Sequence, residues 1–250
     1  MAKDAAIPSA SADGAGKKNV AAGKKRGKKY REAAAKIDRN NLYSVAEAME
    51  LLIGSSTTKF DSSTEVHMNL GVDPKQADQI VRGVIALPNG TGKKLKVIAF
   101  VGEDKVKACK AAGATEAGTD ALVEKIVKGW MDFDMAVAEP SQMKVLGKIA
   151  KTLGQKGLMP SPKAGTVTPD PAQAIEEIQK GRVEFKTDKE GNLHNIFGKI
   201  SFGPEKLKEN LAAFLKAIRE AKPSGVKGTF INSITVCSTM GPGIKIDSSV

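Results

Sequence analysis

The hydrophobic pattern of this chain changes twice along its length, and its first and last stretches are alike. Residues 64–72 alternate apolar and polar side chains, which is typical of a strand with one face on a core and one face exposed. Residues 95–101 are almost continuously apolar, which favours a strand buried on both faces of a parallel sheet. Residues 182–250 return to the first style. The fold class predicted is therefore α/β, with a parallel-sheet sandwich domain inserted into an α+β outer domain.

Turn residues mark where the chain crosses between these two domains. Pro88, Asn89 and Gly90 close one strand, and Gly181 ends a helix. Two covalent crossings permit rigid-body closure, so we expect a two-strand hinge. The predicted organisation is a basic tail over residues 1–29, a discontinuous outer domain of residues 30–90 plus 182–250, and an inserted domain of residues 91–181.

Capping signals place individual elements. Ser44 with Glu47 three residues later predicts a capping box at a helix start. Pro171 after Asp170 predicts the first turn of another helix. The predicted helices cover residues 30–36, 44–54, 106–112, 122–127, 143–153, 171–181 and 204–222. The predicted strands cover residues 64–72, 81–87, 95–101, 135–138, 183–186, 196–202 and 228–238.

The positive charge of the chain is concentrated in its first residues. The formal net charge is +11, and residues 1–40 hold eleven Lys and Arg against four Asp and Glu. Residues 41–90 hold three against six. The excess favours an anionic partner, and we expect the tail to be disordered in isolation and to contact phosphates. The alternative is a solubilising tail. No run of about 18 apolar residues is present, so we expect no membrane helix and no membrane partner.

The motifs of the common enzyme classes are missing from the sequence. Residues 89–93 (Asn-Gly-Thr-Gly-Lys) superficially suggest a phosphate loop, but the Walker spacing fails and Lys94 follows where Ser or Thr belongs. GxSxG, HExxH and EF-hand patterns are absent. Cys109 and Cys237 lie far apart and form no CxxC pair. We therefore expect no enzyme activity, no cofactor and no metal.

The two histidines are interpreted from their predicted positions. His67 falls on the polar face of its strand beside Glu65, where a general base is conceivable but a surface or RNA-facing imidazole is the simpler interpretation. His194 falls in a predicted hairpin loop, where it is expected to be solvated.

Two loops attract attention. Residues 154–170 read GQKGLMPSPKAGTVTPD, with no helix or strand pattern, and long unstructured loops in compact domains are usually functional or disordered. Residues 238–243 read STMGPG and offer a hydroxyl, a thioether and close backbone approach. That set suits sugar hydroxyls and the face of a base or ribose. The alternative for each loop is a rigid turn.

These loops carry a resemblance to a known family. Residues 153–170, LGQKGLMPSPKAGTVTPD, closely resemble the signature of the large-subunit ribosomal protein L-one (stalk protein) family in its bacterial form. The match covers roughly residues 28–247. Further segments similar to the family follow in the same order at residues 59–61, 65–67, 70–74, 81–83, 181–185, 187–189, 227–230 and 238–241.

The resemblance implies a two-domain, non-enzymatic constituent of the large ribosomal subunit. We expect a cytoplasmic ribosome, with an organellar ribosome as the alternative. The resemblance also implies binding to the large-subunit rRNA stalk, which moves as deacylated tRNA leaves the exit site, and contacts with other ribosomal components. Repression of translation through binding to its own mRNA is implied as well. The alternatives are an off-ribosome RNA-binding regulator of the same fold and a nucleotide-dependent enzyme that uses the inserted domain.

The family pattern also implies which residues contact RNA. Three departures from it are notable: Ser62 and Ser63 stand where an acidic residue is common, Cys237 replaces a hydroxyl residue, and the basic tail extends before the usual family start. The role of the tail is therefore not transferred. The implied RNA-binding residues are Lys59, Phe60, Glu65, His67, Ser233, Thr239, Met240 and Gly241, with Asp188 and Lys189 as weaker candidates.

Overall fold

The structure is a computed structural model that describes residues 26–38, 40–223, 225–226 and 228–247. Most of the predicted basic tail lies outside the described residues. The helices are α1 (Lys28–Ala35), α2 (Val45–Gly54), α3 (Glu103–Ala111), α4 (Asp120–Val127), α5 (Met143–Leu146), α6 (Ala150–Gln155), α7 (Pro171–Gln179) and α8 (Gly203–Glu220). The strands are β1 (Ser63–Leu70), β2 (Arg82–Ala86), β3 (Val97–Phe100), β4 (Glu116–Gly118), β5 (Met135–Ala138), β6 (Arg182–Lys186), β7 (Asn192–Lys199), β8 (Ile231–Ser238) and β9 (Ile244–Ile246). None of the helices in these ranges has the length and hydropathy that a bilayer span requires.

The first and last parts of the chain build a four-stranded antiparallel sheet, the outer sheet, in the order β7-β1-β8-β9. They also build a two-stranded antiparallel sheet of β2 and β6. Alternate residues of β1 are buried, among them Val66 and Met68, because one face of the sheet packs on helices α2 and α8. Helix α8 contributes Leu211 and Phe214 to this core. The opposite face of the sheet carries mainly polar side chains.

The middle of the chain builds a parallel sheet in the order β4-β3-β5. All four residues of β3 are buried, as the continuous apolar run predicts. Ile98 and Phe100 belong to one apolar cluster, whereas Val97 and Ala99 belong to another. Since successive residues of a strand point to opposite faces, this sheet is covered on both sides.

The two crossings between these parts lie against each other. A Cβ atom on Gly181 would overlap the Cα atom of Gly90, so the chain comes too close there for a side chain. The buried Asn210 of α8 ties one crossing down: its Oδ1 accepts from the backbone amide of Asn89 at 3.0 Å, and its Nδ2 donates to the carbonyl of Gly90 at 3.0 Å. We propose that residues 30–90 plus 182–250, the outer region, and residues 91–181, the inserted region, are separate domains joined here.

The predicted fold class is confirmed, and several predicted elements differ in detail. The helix predicted over residues 143–153 is two short helices, because α5 ends at Leu146, before Gly147, and α6 begins only at Ala150. Strands β4 and β9, of three residues each, were missed. Helix α1 begins at Lys28, inside the stretch predicted as tail.

The strand predicted over residues 196–202 is placed too late in the chain. Strand β7 begins at Asn192, and residues 200–202 form a single 3₁₀ turn that leads into α8. A bulge opposite Thr64 and Glu65 shifts the register of β7 against β1. The shift breaks the two-residue alternation on which the prediction depended.

Candidate nucleic-acid interface

The polar face of the outer sheet is built from residues two apart on neighbouring strands. On β1 these are Glu65, His67 and Asn69, each half-buried. Pairing with β7 and β8 sets them in cross-strand rows, because directly opposed residues share a face. The rows are Asn192–Asn69–Ser233, His194–His67–Thr235, and Glu65 opposite Cys237.

A chain of amides fixes the first row. The side chain of Asn69 donates from Nδ2 to Oδ1 of Asn192 at 2.8 Å, and its own Oδ1 accepts from Nδ2 of Asn232 at 2.8 Å. The predicted RNA-binding residue Ser233 is the third member of this row and is exposed. The row therefore presents oriented donors and acceptors rather than charge.

The second row places the two histidines in contact. Nδ1 of His67 lies 2.9 Å from Nδ1 of His194, and Nε2 of His67 lies 3.2 Å from Sγ of Cys237. The prediction that His194 sits in a hairpin loop is wrong, because the residue lies within β7. Two proton arrangements satisfy both contacts. In one, the thiol of Cys237 donates to Nε2 of His67, whose Nδ1–H donates to His194; in the other, both hydrogen bonds run in the opposite direction.

Electrostatics favour the neutral forms of His67 and of the neighbouring Cys237. Burial, followed by the neighbouring His194, lowers the pKa of His67, while Glu65 at 3.7 Å raises it. Burial, with a contribution from Glu65, raises the pKa of Cys237 to about 11. Cys237 is therefore a protonated thiol at neutral pH, able to act as a hydrogen-bond donor.

At one end of this face two predicted RNA-binding segments meet. Lys59 and Phe60 precede β1, and Thr239 follows β8, whose end pairs with the start of β1. The hydroxyl of Thr239 accepts from the amide of Ser63 at 3.0 Å and donates to its carbonyl at 3.2 Å, while the amide of Thr239 also donates to that carbonyl at 3.0 Å. These contacts lock the closing loop to the beginning of β1.

The tip of that loop is exposed and strained. Met240 is 76% exposed and has a φ of 65°, the one positive value among the non-glycine residues that the structure describes. Such a backbone costs about 1–2 kcal/mol for a residue with a Cβ atom. Gly241 follows because a Cβ there would overlap the side chain of Ser238. Phe60, across the loop contact, is 61% exposed.

The weaker candidates lie at the other end of the sheet. Asp188 accepts from the backbone amides of Asn192 at 2.7 Å and Glu190 at 2.9 Å, and these bonds, that of Asn192 first, lower the pKa of Asp188. Lys189 is exposed in the same turn. This turn precedes β7 next to the Asn69 row, about 20 Å along the strands from the loop of Met240. The candidates therefore span the length of the sheet instead of forming one pocket.

Sequence reasoning missed two parts of the face. Asn192 and Asn232 were not candidates, although Asn69 shares the strand parity of His67 and pointed towards this row. Lys199 donates to the side chain of Ser63 at 3.0 Å and to the carbonyl of Asp61 at 3.2 Å. No sequence signal placed Lys199 at this end, since the sequence alone did not predict which strand β7 pairs with.

The loop of residues 154–170 makes its contacts within the inserted region itself. Its apolar residues Leu158 and Met159 pack on the core cluster of Phe100, and Val167 forms a parallel bridge with Ala138. The expectation of an unstructured loop is wrong, because it begins in α6 and contains a 3₁₀ turn. These contacts favour the rigid-turn interpretation.

Comparison with known proteins agrees with the architecture. The family model described as "Ribosomal protein L1p/L10e family" matches residues 52–242. A large ribosomal subunit protein uL1 of Mycobacteroides abscessus is 52% identical over 226 residues, which cover 90% of this chain and 96% of the relative. The uL1 proteins of Lactobacillus delbrueckii subsp. bulgaricus and Kosmotoga olearia are each 52% identical over 223 residues, which cover 89% of this chain and 96% of each relative.

Proposed function

The chain belongs to the ribosomal protein L1p/L10e family, and on that premise we propose that it is a structural protein of the large ribosomal subunit that binds the rRNA stalk through the polar face of its outer sheet. As a ribosomal structural protein of this family it is not an enzyme. Its relatives are large-subunit proteins of bacteria, so a bacterial-type subunit is the assembly in which we place it.

The exposed apolar pair at one end of the sheet carries the assignment of the RNA surface. Phe60 and Met240 leave most of their side chains in solvent, and Met240 holds a strained, positive φ. Backbone strain of this kind persists where the surroundings enforce it, and it clusters at ligand-binding sites. A ring and a thioether suit the faces of unstacked bases or riboses in a structured RNA.

Charge contributes little to recognition on this face. Residues 41–90 carry more acidic than basic side chains, and the face includes Glu65 and Asp188. The rows of Asn, Ser and Thr offer partners for 2′-hydroxyls and base edges, so we assign specificity to shape and hydrogen bonding. The basic tail includes residues 1–25, which lie outside the described ranges. We expect the tail to increase RNA affinity in a way that depends on salt concentration and not on RNA sequence.

Two further roles belong to the proposal. The protein takes part in the release of deacylated tRNA from the exit site, and it represses translation of its own mRNA by binding a structure similar to the stalk. The paired crossings at Gly90 and Gly181 support the first role, since an inserted region joined by two strands can move as a rigid body. A single polar face that accepts either RNA supports the second.

The test measures binding of the full-length protein to an isolated stalk rRNA fragment and to an unrelated hairpin. Met240→Asp places a carboxylate among the phosphates and removes the apolar contact, so stalk affinity should fall at least tenfold. The matched control is Val127→Asp, which changes another exposed apolar residue, 70% exposed, in the inserted region.

The control should bind the stalk fragment as tightly as the unsubstituted protein. Equal affinities for all three proteins, with native circular dichroism, would refute the assignment of this surface. Equal binding to the stalk fragment and the hairpin would refute specific recognition itself. Co-sedimentation with large subunits at high salt separates the ribosomal role from an off-ribosome regulator.

A further inference from the structure

Three different metal-ligating side chains meet on the polar face of the outer sheet. Glu65 and His67 are two residues apart on β1 and so share a face, and Cys237 on β8 lies directly opposite Glu65. Nε2 of His67 is 3.2 Å from Sγ of Cys237 and 3.7 Å from Oε2 of Glu65. The three ligand atoms all lie within 4.8 Å of one another.

These separations match those between neighbouring ligands of one ion. With bonds of about 2.3 Å to sulfur and about 2.0–2.1 Å to nitrogen and oxygen, tetrahedral geometry sets ligand atoms roughly 3.3–3.6 Å apart. The observed 3.2 and 3.7 Å lie close to that range. The Glu65–His67 contact is too long for a hydrogen bond, so the carboxylate keeps a lone pair available towards the shared space.

One of the two tautomers of His67 leaves its Nε2 available to a metal ion. Its Nδ1 contacts Nδ1 of His194 at 2.9 Å, so a proton held there leaves the Nε2 lone pair aimed at Cys237. His194 is in turn 3.7 Å from Oδ2 of Asp188. A histidine ligand whose other ring nitrogen is held by a neighbouring side chain is typical of metal sites.

We propose that Glu65, His67 and Cys237 form a binding site for a thiophilic divalent cation of the Zn²⁺ class. Nitrogen, sulfur and carboxylate oxygen are the donors that Zn²⁺ prefers. On binding, the Cys237 thiol releases its proton to solvent and a metal–thiolate bond forms. The thiolate and the Glu65 carboxylate then balance both charges of the ion. Three protein ligands leave a fourth position open on the exposed side.

The site would give the RNA surface a second state. Because the ion occupies Glu65 and His67, bound metal and stalk RNA compete for the same side chains, a consequence that rests on the proposed function. The metal site itself does not depend on it. The sequence predicted no metal site because its cysteines form no CxxC pair. Strand pairing brings these ligands together although His67 and Cys237 are 170 residues apart in the sequence.

The experiment titrates the full-length protein with Co²⁺ and follows the thiolate-to-cobalt charge-transfer absorption, then measures Zn²⁺ affinity by competition with a chromophoric chelator. One equivalent should bind. Cys237→Ser should abolish the charge-transfer band and weaken Zn²⁺ binding at least tenfold. Cys109→Ser is the matched control, since Cys109 is buried in the core of the inserted region and should leave both signals unchanged.

A second variant, His67→Gln, keeps the site falsifiable if Cys237→Ser fails to fold, and it should weaken Zn²⁺ binding at least tenfold. Absence of stoichiometric binding, or binding unaffected by both site variants, would overturn the proposal. Stalk affinity is then measured with excess chelator and with saturating Zn²⁺. Tight stalk binding in chelator with no effect of Zn²⁺ would reject competition alone, whereas weak binding in chelator would reject the proposed function and leave the metal result standing.

Discussion

The outer sheet and the inserted sheet differ in how many of their faces are covered. In the inserted sheet the residues of β3 divide between two apolar clusters, one on each side. In the outer sheet Val66 and Met68 point into a core, while Glu65 and His67 point away from it. The outer sheet therefore has a broad face free for a partner.

The same difference appears in the loops. In the long glycine- and proline-containing loop of the inserted region, the apolar residues Leu158 and Met159 pack against the core of that region. In the short closing loop of the outer region, Thr239 is hydrogen-bonded to Ser63, and the next residue, Met240, is exposed with a positive φ. A loop rich in signature residues can be structural, while the RNA-contact surface that we propose lies at a six-residue turn.

The largest expected effect separates the two cores. Phe100→Ala, in the inserted region, and Phe214→Ala, in the outer region, each remove a fully buried ring and should cost about 3–5 kcal/mol. If the regions are separate domains, calorimetry should show each variant lowering a different transition. Stalk affinity at low temperature should stay within about twofold for Phe100→Ala and fall for Phe214→Ala. A single unfolding transition that both variants lower equally would show that the two regions unfold together as one domain.

The next effect concerns the lock between the closing loop and β1. Thr239→Ala removes the hydroxyl that both donates to and accepts from the backbone of Ser63, and should cost about 1–2 kcal/mol. Thr239→Ser keeps those bonds and should stay near the unsubstituted protein. Urea denaturation gives both values. Full stability in Thr239→Ala would show that the loop is positioned by something other than this hydroxyl.

A smaller effect tests whether Met240 is kept for function rather than stability. Met240→Gly relieves the positive φ but loosens the unfolded chain, so stability should rise by about 0–1 kcal/mol. Stalk affinity should nevertheless fall, because the thioether is gone. Thermal melting and RNA binding on the same variant provide the check. A loss of stability would mean that the side chain packs on the fold instead of facing a partner.

The smallest effect is a pH dependence in the inserted region. A hydrogen bond from Lys93 at 2.6 Å, then one from the amide of Lys96, lower the pKa of Asp134 below its usual value. The unfolded chain therefore takes up this proton at higher pH than the folded chain. Its contribution is present above about pH 4 and is lost as pH falls further. Asp134→Asn should make the free energy of unfolding, measured by urea denaturation at a series of acid pH values, fall less steeply as pH is lowered. An unchanged pH dependence would show that Asp134 does not contribute to it.

Local signals in the sequence predicted much of the fold. The capping box of Ser44 and Glu47 forms as expected, with bonds of 3.4 and 3.2 Å. Strand β5 has the predicted bounds, and the strand parity of His67 is correct. Such features depend on residues a few positions apart, where propensity and periodicity act.

What could not be predicted depends on register between distant strands. Nothing near His67 in sequence shows that His194 and Cys237 lie against it, because those contacts follow from pairing across 127 and 170 residues. His194 lies in the sheet and not in the predicted loop, because β7 pairs with β1 from Asn192 onwards. Asn69 meets Asn192 and Asn232 for the same reason.

The methionines allow the most direct test of the claim that RNA binds the outer sheet face. Met240 is exposed at the tip of that face, and Met68 lies in the outer core. The inserted region holds Met131, Met135, Met143 and Met159. In a full-length protein with ¹³C-labelled methionine methyl groups, titration with the stalk rRNA fragment should shift and broaden the Met240 signal at stoichiometric RNA. The signals of the four inserted methionines should stay in place. Shifts confined to the inserted methionines, with Met240 unchanged, would contradict the account.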